Sequence, residues 1–343
     1  MKPWQKAIVY TVMFAGALLM AAVTATIGWR PFIGPKARPL TERRIEATPA
    51  RLERGTYLVK NVAGCLFCHS DLDPSIEGLP PKAGLAGAGR PLTAEDMPWL
   101  TAPNLTPDQE TGAGTWTDDM LARSIREGIG HDGRTLFPMM PYQNYARMSD
   151  EDLASVITYI RSLPAVRREN PKTAIPFPVN RLINSAPQPI EGAVAAPDMS
   201  TPAKRGEYLV TVASCGDCHS PMDDKGQYVP GMRFAGGNTL KHGDDRAPRA
   251  AMNLTPAPSG IPYYNEDLFV EAIRTGRVRE RQLSDVMPWG HYRGMTDEDL
   301  KAIFAFLKTL PPVDHTVDNA LPRTKCEKCG LEHGGGERNK KTE

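Results

Sequence analysis

All six cysteines of the chain fall in pairs with two residues between them. Two of these pairs are followed directly by a histidine, in Cys65-Leu66-Phe67-Cys68-His69 and Cys215-Gly216-Asp217-Cys218-His219. This pattern is that of covalent haem c attachment: two thioethers one helical turn apart hold the porphyrin edge, and the adjacent imidazole reaches the iron. A redox dithiol or half of a zinc site would not require the histidine. The sequence therefore predicts two haem c groups with His69 and His219 as proximal ligands.

A unit of about 110 residues occurs twice in the chain. The recurring landmarks, each displaced by 147 to 151 positions, are Tyr57 and Tyr208, His69 and His219, Asn104 and Asn253, Met140 and Met287, and Leu153 and Leu300. Between the two units lie seven prolines with little apolar periodicity, which is typical of an extended linker. We expect a first domain over 49–169, a linker over 170–202 and a second domain over 203–315.

Helix signals occur at matched places in both units. Ser149 and Thr296 are capping residues that precede segments with one apolar face each. Thr117 and Asn265 begin two further segments, which end at glycine. No run of residues alternates convincingly as a strand would, so the predicted fold class is all-α. With aromatic residues at only 7%, bound haem would supply much of each core.

The second axial ligand of each iron is expected to be a methionine. Met140 and Met287 occupy equivalent positions of the repeat, and each precedes a proline, whereas Met139 has no counterpart. Ordinary packing is the alternative role for such a methionine. His131 and His291 lie within ten residues of these methionines but do not match each other, so they are weaker ligand candidates and are otherwise expected on the surface or in loops. Methionine ligation raises the reduction potential.

Three polar residues are candidates for binding the haem propionates. Arg90 follows a Gly-Ala-Gly segment, and Asn104 and Asn253 begin the repeated Asn-Leu-Thr-Pro sequences. Turn formation explains the asparagines equally well, because an Asn side chain readily bonds to the backbone two residues on. The sequence alone is compatible with both roles.

The N-terminal segment predicts a membrane association. Residues 7–29 carry no charge, enough to span a hydrocarbon layer of about 30 Å as a helix. Residues 1–30 are therefore expected to be a membrane anchor, or alternatively a signal peptide with a small-residue cleavage site at Val23-Thr24-Ala25. The basic residues that follow this segment outnumber the two lysines before it, so the positive-inside rule alone would place the globular part in the cytoplasm.

The charge balance argues against a nucleic-acid partner. Lysine and arginine number 41 and aspartate and glutamate 40, which leaves a net charge of +1. A nucleic-acid-binding chain would be expected to carry a clear basic excess or basic tracts.

Several of these features together resemble a known family. The two haem motifs, Asn104-Leu105-Thr106-Pro107, Met140-Pro141-Tyr142 and Ser149-Asp150-Glu151-Asp152-Leu153 are similar to motifs of class I cytochrome c domains. Over roughly residues 49–315 the chain resembles membrane-associated dihaem cytochromes c, such as the cytochrome subunits of bacterial periplasmic alcohol, aldehyde and gluconate dehydrogenases. Those subunits commonly carry three haems, whereas this chain has two haem motifs.

The resemblance implies two tandem class I cytochrome c domains behind an N-terminal transmembrane helix. It also implies a location at the bacterial inner membrane with the globular part in the periplasm, where haem is attached, which overrides the positive-inside argument. The implied function is electron transfer, without catalysis by the chain itself, from a dehydrogenase or other respiratory donor to a membrane oxidase or another cytochrome.

Two other functions remain open. A dihaem peroxidase or thiosulfate dehydrogenase would need an open or unusually ligated iron, which two matched methionines argue against. A structural link within a respiratory complex would make electron transfer secondary.

The polar tail over 316–343 lies outside the resemblance. Its Cys326 and Cys329 are not followed by a histidine, and His333 comes four residues after the second cysteine. The pair could contribute to a zinc site completed by a partner, or form a disulfide in an oxidising compartment. We assign no role to His242 or His315.

Overall fold

The structure is a computed structural model that describes residues 1–92, 97–224, 226–240 and 248–341. Its α-helices are α1 Pro3–Ala25, α2 Arg30–Ile33, α3 Pro49–Tyr57, α4 Cys65–Cys68, α5 Asp118–Glu127, α6 Tyr142–Tyr145, α7 Asp150–Ser162, α8 Val179–Leu182, α9 Pro202–Val212, α10 Cys215–His219, α11 Glu266–Thr275, α12 Trp289–Tyr292 and α13 Asp297–Thr309. A π-helical turn, Leu58–Val62, extends α3. The fold is mostly helical, as the sequence predicts. His242 lies outside the described residues.

The chain divides into two compact units. The first comprises Met1–Arg44, Trp116–Ala146 and Ala174–Gly192, and the second comprises Ile45–Thr115, Arg147–Thr173 and Ala193–Glu343. The first unit contains α1, α2, α5, α6 and α8, and the second contains the remaining helices. Both haem motifs and the cysteine pair of the tail therefore belong to the second unit.

In the first unit, α1 is the predicted apolar helix. Its length and composition are sufficient to cross a membrane, and none of its residues is buried by the rest of the chain. The segment that follows is held by Arg38, whose guanidinium contacts Asp119 at 2.7 Å and Glu127 at 2.8 Å on α5. Thr117 caps α5, because its hydroxyl accepts a hydrogen bond from the Met120 N–H at 3.1 Å. This confirms the predicted start of that helix.

The second unit is built on two matched helix pairs, α3 with α7 and α9 with α13. The crossing in each pair depends on a glycine. A Cβ atom on Gly55 would lie 1.9 Å from the carbonyl oxygen of Ser155, and one on Gly206 would lie 1.9 Å from that of Ala302. No side chain fits at that distance, so these glycines set the close approach of the two backbones. The sequence repeat thus corresponds to a repeated structural feature, a close helix crossing at a glycine.

The two helix pairs exchange tyrosine hydrogen bonds. The Tyr208 hydroxyl on α9 donates to Asp152 on α7 at 2.6 Å, and the Tyr57 hydroxyl on α3 donates to Asp299 on α13. Each phenol oxygen also accepts a backbone N–H at the start of the same helix, from Ser149 at 3.3 Å and from Thr296 at 3.2 Å. These contacts are reciprocal between equivalent residues, so the helix pairs are related by an approximate twofold.

The strands are shorter than the sequence could reveal. They are the antiparallel pairs β1 Arg90–Pro91 with β2 Thr101–Ala102, β3 Thr239–Leu240 with β4 Arg249–Ala250, β5 Arg277–Val278 with β6 Arg281–Gln282, and β7 Arg323–Lys325 with β8 Glu332–Gly334. Strands of two or three residues are too short to show alternation, so the all-α expectation missed them.

The proline-rich segment is not extended throughout. It contains α8 and a following 3-10 turn, Ile183–Ser185. Pro178 is the residue before the first turn of α8, where its missing N–H costs no intrahelical hydrogen bond.

Candidate functional site

Both haem motifs form a single helical turn after a left-handed residue. The residue before α4 is Gly64, with φ at 60°, and the residue before α10 is Ser214, with φ at 57°. A serine in this region is uncommon, and it adopts the same backbone as the glycine of the first repeat. In each motif the first and second cysteines are three residues apart on one turn, which places both side chains on the same side of the helix.

The two candidate proximal histidines have the same hydrogen-bond arrangement. His69 Nδ1 lies 2.9 Å from the carbonyl oxygen of Pro103, and His219 Nδ1 lies 2.8 Å from that of Met252. Because a carbonyl only accepts, Nδ1 must carry the proton, which leaves the Nε2 lone pair available to a metal. Burial lowers the pKa of both imidazoles and so favours the neutral form that a metal requires.

A glycine loop holds the backbone of each histidine. The N–H of Gly89 donates to the carbonyl of His69 at 2.8 Å, and that of Gly236 donates to the carbonyl of His219 at 2.8 Å. Both glycines have positive φ, and a Cβ atom would come within 2.7 Å or less of neighbouring backbone. The loop therefore approaches the backbone of residues 102–104 in the first repeat and 251–253 in the second more closely than any other residue would allow.

The side chain that binds the carbonyl inside each motif differs between the repeats. Arg90 donates through Nη2 to the carbonyl of Phe67 at 3.0 Å, and Asn238 donates to the carbonyl of Asp217 at 2.8 Å at the matched place. The Arg90 Nε is buried and has no hydrogen-bond partner within the described part of the chain. Burial lowers the pKa of this guanidinium. A buried, incompletely paired cation beside the first motif suits an anionic propionate.

Asn104 and Asn253 are engaged within the protein. The side-chain oxygen of each accepts hydrogen bonds from the backbone N–H and hydroxyl of the threonine two residues on, at 2.7–2.9 Å. The amide groups donate at 2.8 Å to the carbonyls of Val166 and Val313, which follow the last helix of each repeat. This geometry matches the turn alternative and joins the turn to the end of the repeat, and contact with a propionate stays a prediction.

The two candidate methionine ligands lie in turns of the same shape. The N–H of Met140 donates to the carbonyl of Phe137 at 3.1 Å, and the N–H of Met287 donates to that of Ser284 at 2.9 Å. Both methionines are partly buried, whereas Met139 is 46% exposed. The prolines that follow have ψ at 51° in both turns and lead into α6 and α12. Met140 belongs to the first unit and Met287 to the second.

The cysteines of the haem motifs lie in apolar surroundings. Burial raises the pKa of the Cys65 and Cys215 thiols to about 12 and that of Cys218 to about 11. All four cysteines are free thiols, as thioether attachment requires. Together with the imidazoles whose Nε2 is available, they form a donor set that fits haem c.

His291 is not the surface or loop residue that the sequence suggested. Both of its ring nitrogens are buried and lack a hydrogen-bond partner among the residues described. A Cβ atom on Gly64 would lie 2.5 Å from His291 Nε2, and the ring centroid is 5.8 Å from that of Phe67. Burial lowers the pKa of His291 to about 3. His291 therefore packs from the second repeat against the first haem motif. His131 instead stacks on Trp116, with centroids 4.3 Å apart.

The tail brings together a second set of donor side chains. The donor atoms of His315, Cys326, Cys329 and His333 all lie within 4.8 Å of one another, and all four residues are buried. The sequence indicated the two cysteines and His333, but our judgement that His315 has no role is not supported by this geometry. His315 stands eleven residues before Cys326, outside the short spacing by which such sets are usually recognised.

Comparison with known proteins supports the haem interpretation. Residues 52–164 match the sequence model of the family described as Cytochrome c. The chain contains a cytochrome c domain. This cytochrome c domain spans the first haem motif, and its family binds haem c covalently.

Curated relatives extend the similarity beyond the cytochrome c domain. The chain is 27% identical over 291 residues to the cytochrome c subunit of a quinone alcohol dehydrogenase from Gluconobacter oxydans, covering 78% of this chain and 56% of that protein. It is 29% identical to the gluconate 2-dehydrogenase cytochrome c subunit of Pantoea cypripedii, covering 78% and 62%. It is also 29% identical to a dihaem cytochrome of c type from Cereibacter sphaeroides, covering 73% and 83%. The chain thus spans less than two thirds of the two dehydrogenase subunits.

Proposed function

We propose that the chain is a dihaem c-type cytochrome that accepts electrons from a dehydrogenase and delivers them to a membrane oxidase or another cytochrome. It is not itself catalytic in this proposal. Covalently bound haem c supplies one-electron redox chemistry, and the residues of the chain tether it, ligate it and tune it. The proposal includes two tandem cytochrome c domains, over 49–169 and 203–315.

The observation that carries this proposal is the identical setting of the two proximal histidines. Each Nδ1 is bound to a carbonyl, each main-chain carbonyl is bound to a glycine N–H, and each follows one turn with two cysteines. The family match covers the first of these settings, and the second repeats it in every bond. We therefore assign Cys65 and Cys68 to one haem and Cys215 and Cys218 to the other.

We assign Met140 and Met287 as the second axial ligands. Their matched turns place a thioether just ahead of the last helix of each repeat, and ligation there would leave no open coordination position. An iron with no open coordination position suits electron transfer and disfavours turnover of peroxide. Arg90 is assigned to a propionate of the first haem, on the strength of its buried Nε.

We also propose that α1 anchors the chain to the bacterial inner membrane, with the globular part in the periplasm. This placement is supported by the apolar, unburied surface of α1 and by the periplasmic site of haem c attachment. The electron donor would then be a periplasmic dehydrogenase, in keeping with the names of the relatives.

The test uses the full chain in detergent, purified from the membranes of its native host together with bound proteins. Mass spectrometry identifies any dehydrogenase present, and ethanol and gluconate are then added separately under anaerobic conditions. We expect one substrate to reduce the haem bands while the dehydrogenase is bound, and no reduction after it is removed. Rapid turnover of hydrogen peroxide, with no dehydrogenase-dependent reduction, would overturn the proposal in favour of a dihaem peroxidase.

A further inference from the structure

Four buried side chains of the C-terminal region form a complete donor set for a tetrahedral metal. We propose that His315, Cys326, Cys329 and His333 bind one Zn²⁺ ion, which fastens the tail to the second haem repeat. This site is separate from both haem motifs and requires no partner residue.

The distances between donor atoms fit a tetrahedron. Cys326 Sγ lies 3.4 Å from His315 Nε2, Cys329 Sγ lies 3.4 Å from His333 Nε2, and the two Nε2 atoms are 3.0 Å apart. With Zn–S near 2.3 Å and Zn–N near 2.0–2.1 Å, the tetrahedral edges are about 3.6 Å for S–N and about 3.4 Å for N–N. These three distances are a few tenths of an ångström shorter than the corresponding edges, and all four donor atoms lie within 4.8 Å of one another, so small shifts would arrange them around one central ion.

Both histidines direct Nε2 into the site. His315 Nδ1 lies 2.8 Å from the carbonyl oxygen of Ala235, and His333 Nδ1 lies 2.9 Å from that of Gly334. Because carbonyls only accept, each Nδ1 carries the proton and each Nε2 presents a lone pair. Two lone pairs that face each other at 3.0 Å repel, and a cation between them removes that repulsion. Hydrogen bonds from the second nitrogen to a carbonyl are also the usual support for a zinc-bound histidine.

The two cysteines are presented by a tight turn between β7 and β8. Gly330, with φ at 77°, reverses the chain directly after Cys329. Its N–H donates to the carbonyl of Cys326 at 2.8 Å, and the N–H of Cys326 donates to the carbonyl of Leu331 at 2.9 Å. The turn therefore holds both sulfur atoms on the side of the histidines. A disulfide would satisfy the sulfur atoms but leave the two Nε2 atoms facing each other.

The site rests on the loop that holds the second proximal histidine. Ala235, whose carbonyl binds His315, directly precedes Gly236, whose N–H binds the carbonyl of His219. A Cβ atom on Gly237 would lie 2.8 Å from His315 Cε1 and 3.6 Å from Cys329 Sγ, so the loop packs directly against the donors. Zinc is the expected ion, because it prefers a closed tetrahedral site with two thiolates and two imidazoles.

The test measures metals in the detergent-solubilised holoprotein by inductively coupled plasma mass spectrometry. We expect one zinc per chain in addition to the haem iron, and an intact-protein mass that shows no disulfide at Cys326 and Cys329. The matched variant is His315→Asn, because Asn170 makes the equivalent bond to a loop carbonyl in the first repeat. This variant keeps a donor to Ala235 and removes the ligand.

After dialysis against a zinc chelator, we expect His315→Asn to lose the zinc that the wild-type chain retains, because its zinc affinity falls at least about tenfold, while haem content is unchanged. Cys329→Ser should do the same, and His131→Asn, which alters a histidine outside the site, should keep the zinc. A zinc-free wild-type chain with a Cys326–Cys329 disulfide would overturn the proposal. So would zinc content that is unchanged in both ligand variants, or a different metal at one per chain.

Discussion

The loops that hold His69 and His219 are alike in backbone, but different side chains bind their carbonyls. In the first repeat, the carbonyl of Ala88 accepts a hydrogen bond from the side-chain amide of Asn170 at 2.8 Å. In the second, the carbonyl of Ala235 is bound at the same distance by the imidazole of His315. The imidazole of His315 has a second ring nitrogen, Nε2, which can bind a metal ion, whereas the side-chain amide of Asn170 has no second nitrogen. The side chain that binds this carbonyl, which comes from a different position in each repeat, thus gives the second repeat a connection to the tail.

A second difference concerns charge. The carbonyl inside the first haem motif is bound by the guanidinium of Arg90 and that inside the second by the amide of Asn238. The two repeats therefore share a scaffold but differ in the electrostatic field at the motif. Variants at matched positions distinguish where the repeats are equivalent from where they differ.

The largest expected effect concerns the methionines, at which the repeats should be equivalent. Met140→Ala and Met287→Ala should each lower the reduction potential of one haem by on the order of 100 mV, because loss of the thioether favours ferric iron. Redox titration with visible spectroscopy measures this shift, together with loss of half of the weak far-red sulfur-to-iron band. Met139→Ala is the control, and a potential that stays constant in either ligand variant would break the equivalence.

The next effect concerns His291, which contacts the first motif from the second repeat. Its pKa falls from near 6.5 when unfolded to about 3 when folded, so the unfolded state binds the extra proton between these values. The free energy of unfolding therefore decreases as the pH falls below 6.5, because only the unfolded state takes up the proton. The expected decrease from this residue is about 2 kcal/mol at pH 5 relative to pH 7. His291→Asn, which introduces the residue of the equivalent position 144, should weaken this pH dependence. Denaturant midpoints at pH 7 and pH 5 measure it, and an unchanged pH dependence would contradict the assignment.

A smaller effect is expected from the tyrosines exchanged between the helix pairs. Tyr57→Phe and Tyr208→Phe should each reduce the free energy of unfolding by about 1–2 kcal/mol, because each removes one hydrogen bond to a buried carboxylate. The guanidiniums of Arg54 and Arg205 still pair those carboxylates, which limits the loss. Urea unfolding followed by circular dichroism measures both variants. A large decrease in the free energy of unfolding in one variant and none in the other would show that the two tyrosines do not contribute equally to stability, despite their equivalent positions.

The smallest effect distinguishes the two motifs by charge. Arg90→Asn should lower the potential of the first haem by on the order of 50 mV, because a nearby cation stabilises the reduced, less positive iron. Asn238→Arg should raise the potential of the second haem in the same titration. An unchanged potential of the first haem in Arg90→Asn would show that Arg90 is not near the haem edge.

The elements that the sequence predicts well are those with a local cause. Ser149 and Thr296 cap α7 and α13 by accepting the backbone N–H three residues on, and that interaction depends only on neighbouring residues. The haem motifs are equally local, since their chemistry lies within five residues. The repeat then transfers each assignment from one half of the chain to the other.

The features that the sequence could not predict depend on distant residues. Tyr57 and Asp299 are 242 positions apart, and only folding shows that they meet. His315 looked unremarkable because its partners lie 11 to 18 residues later and its supporting carbonyl lies 80 residues earlier. His291 looked like a loop residue because its burial comes from the first haem motif rather than from its own helix.

The haem content of the purified chain tests the central claim most directly. A pyridine haemochrome assay, normalised to protein by amino-acid analysis, should give two haem c groups per wild-type chain. The Cys65→Ala/Cys68→Ala and Cys215→Ala/Cys218→Ala variants should each retain one. A wild-type chain with one haem or none after full maturation, or a second pair of cysteines whose removal costs no haem, would contradict the account.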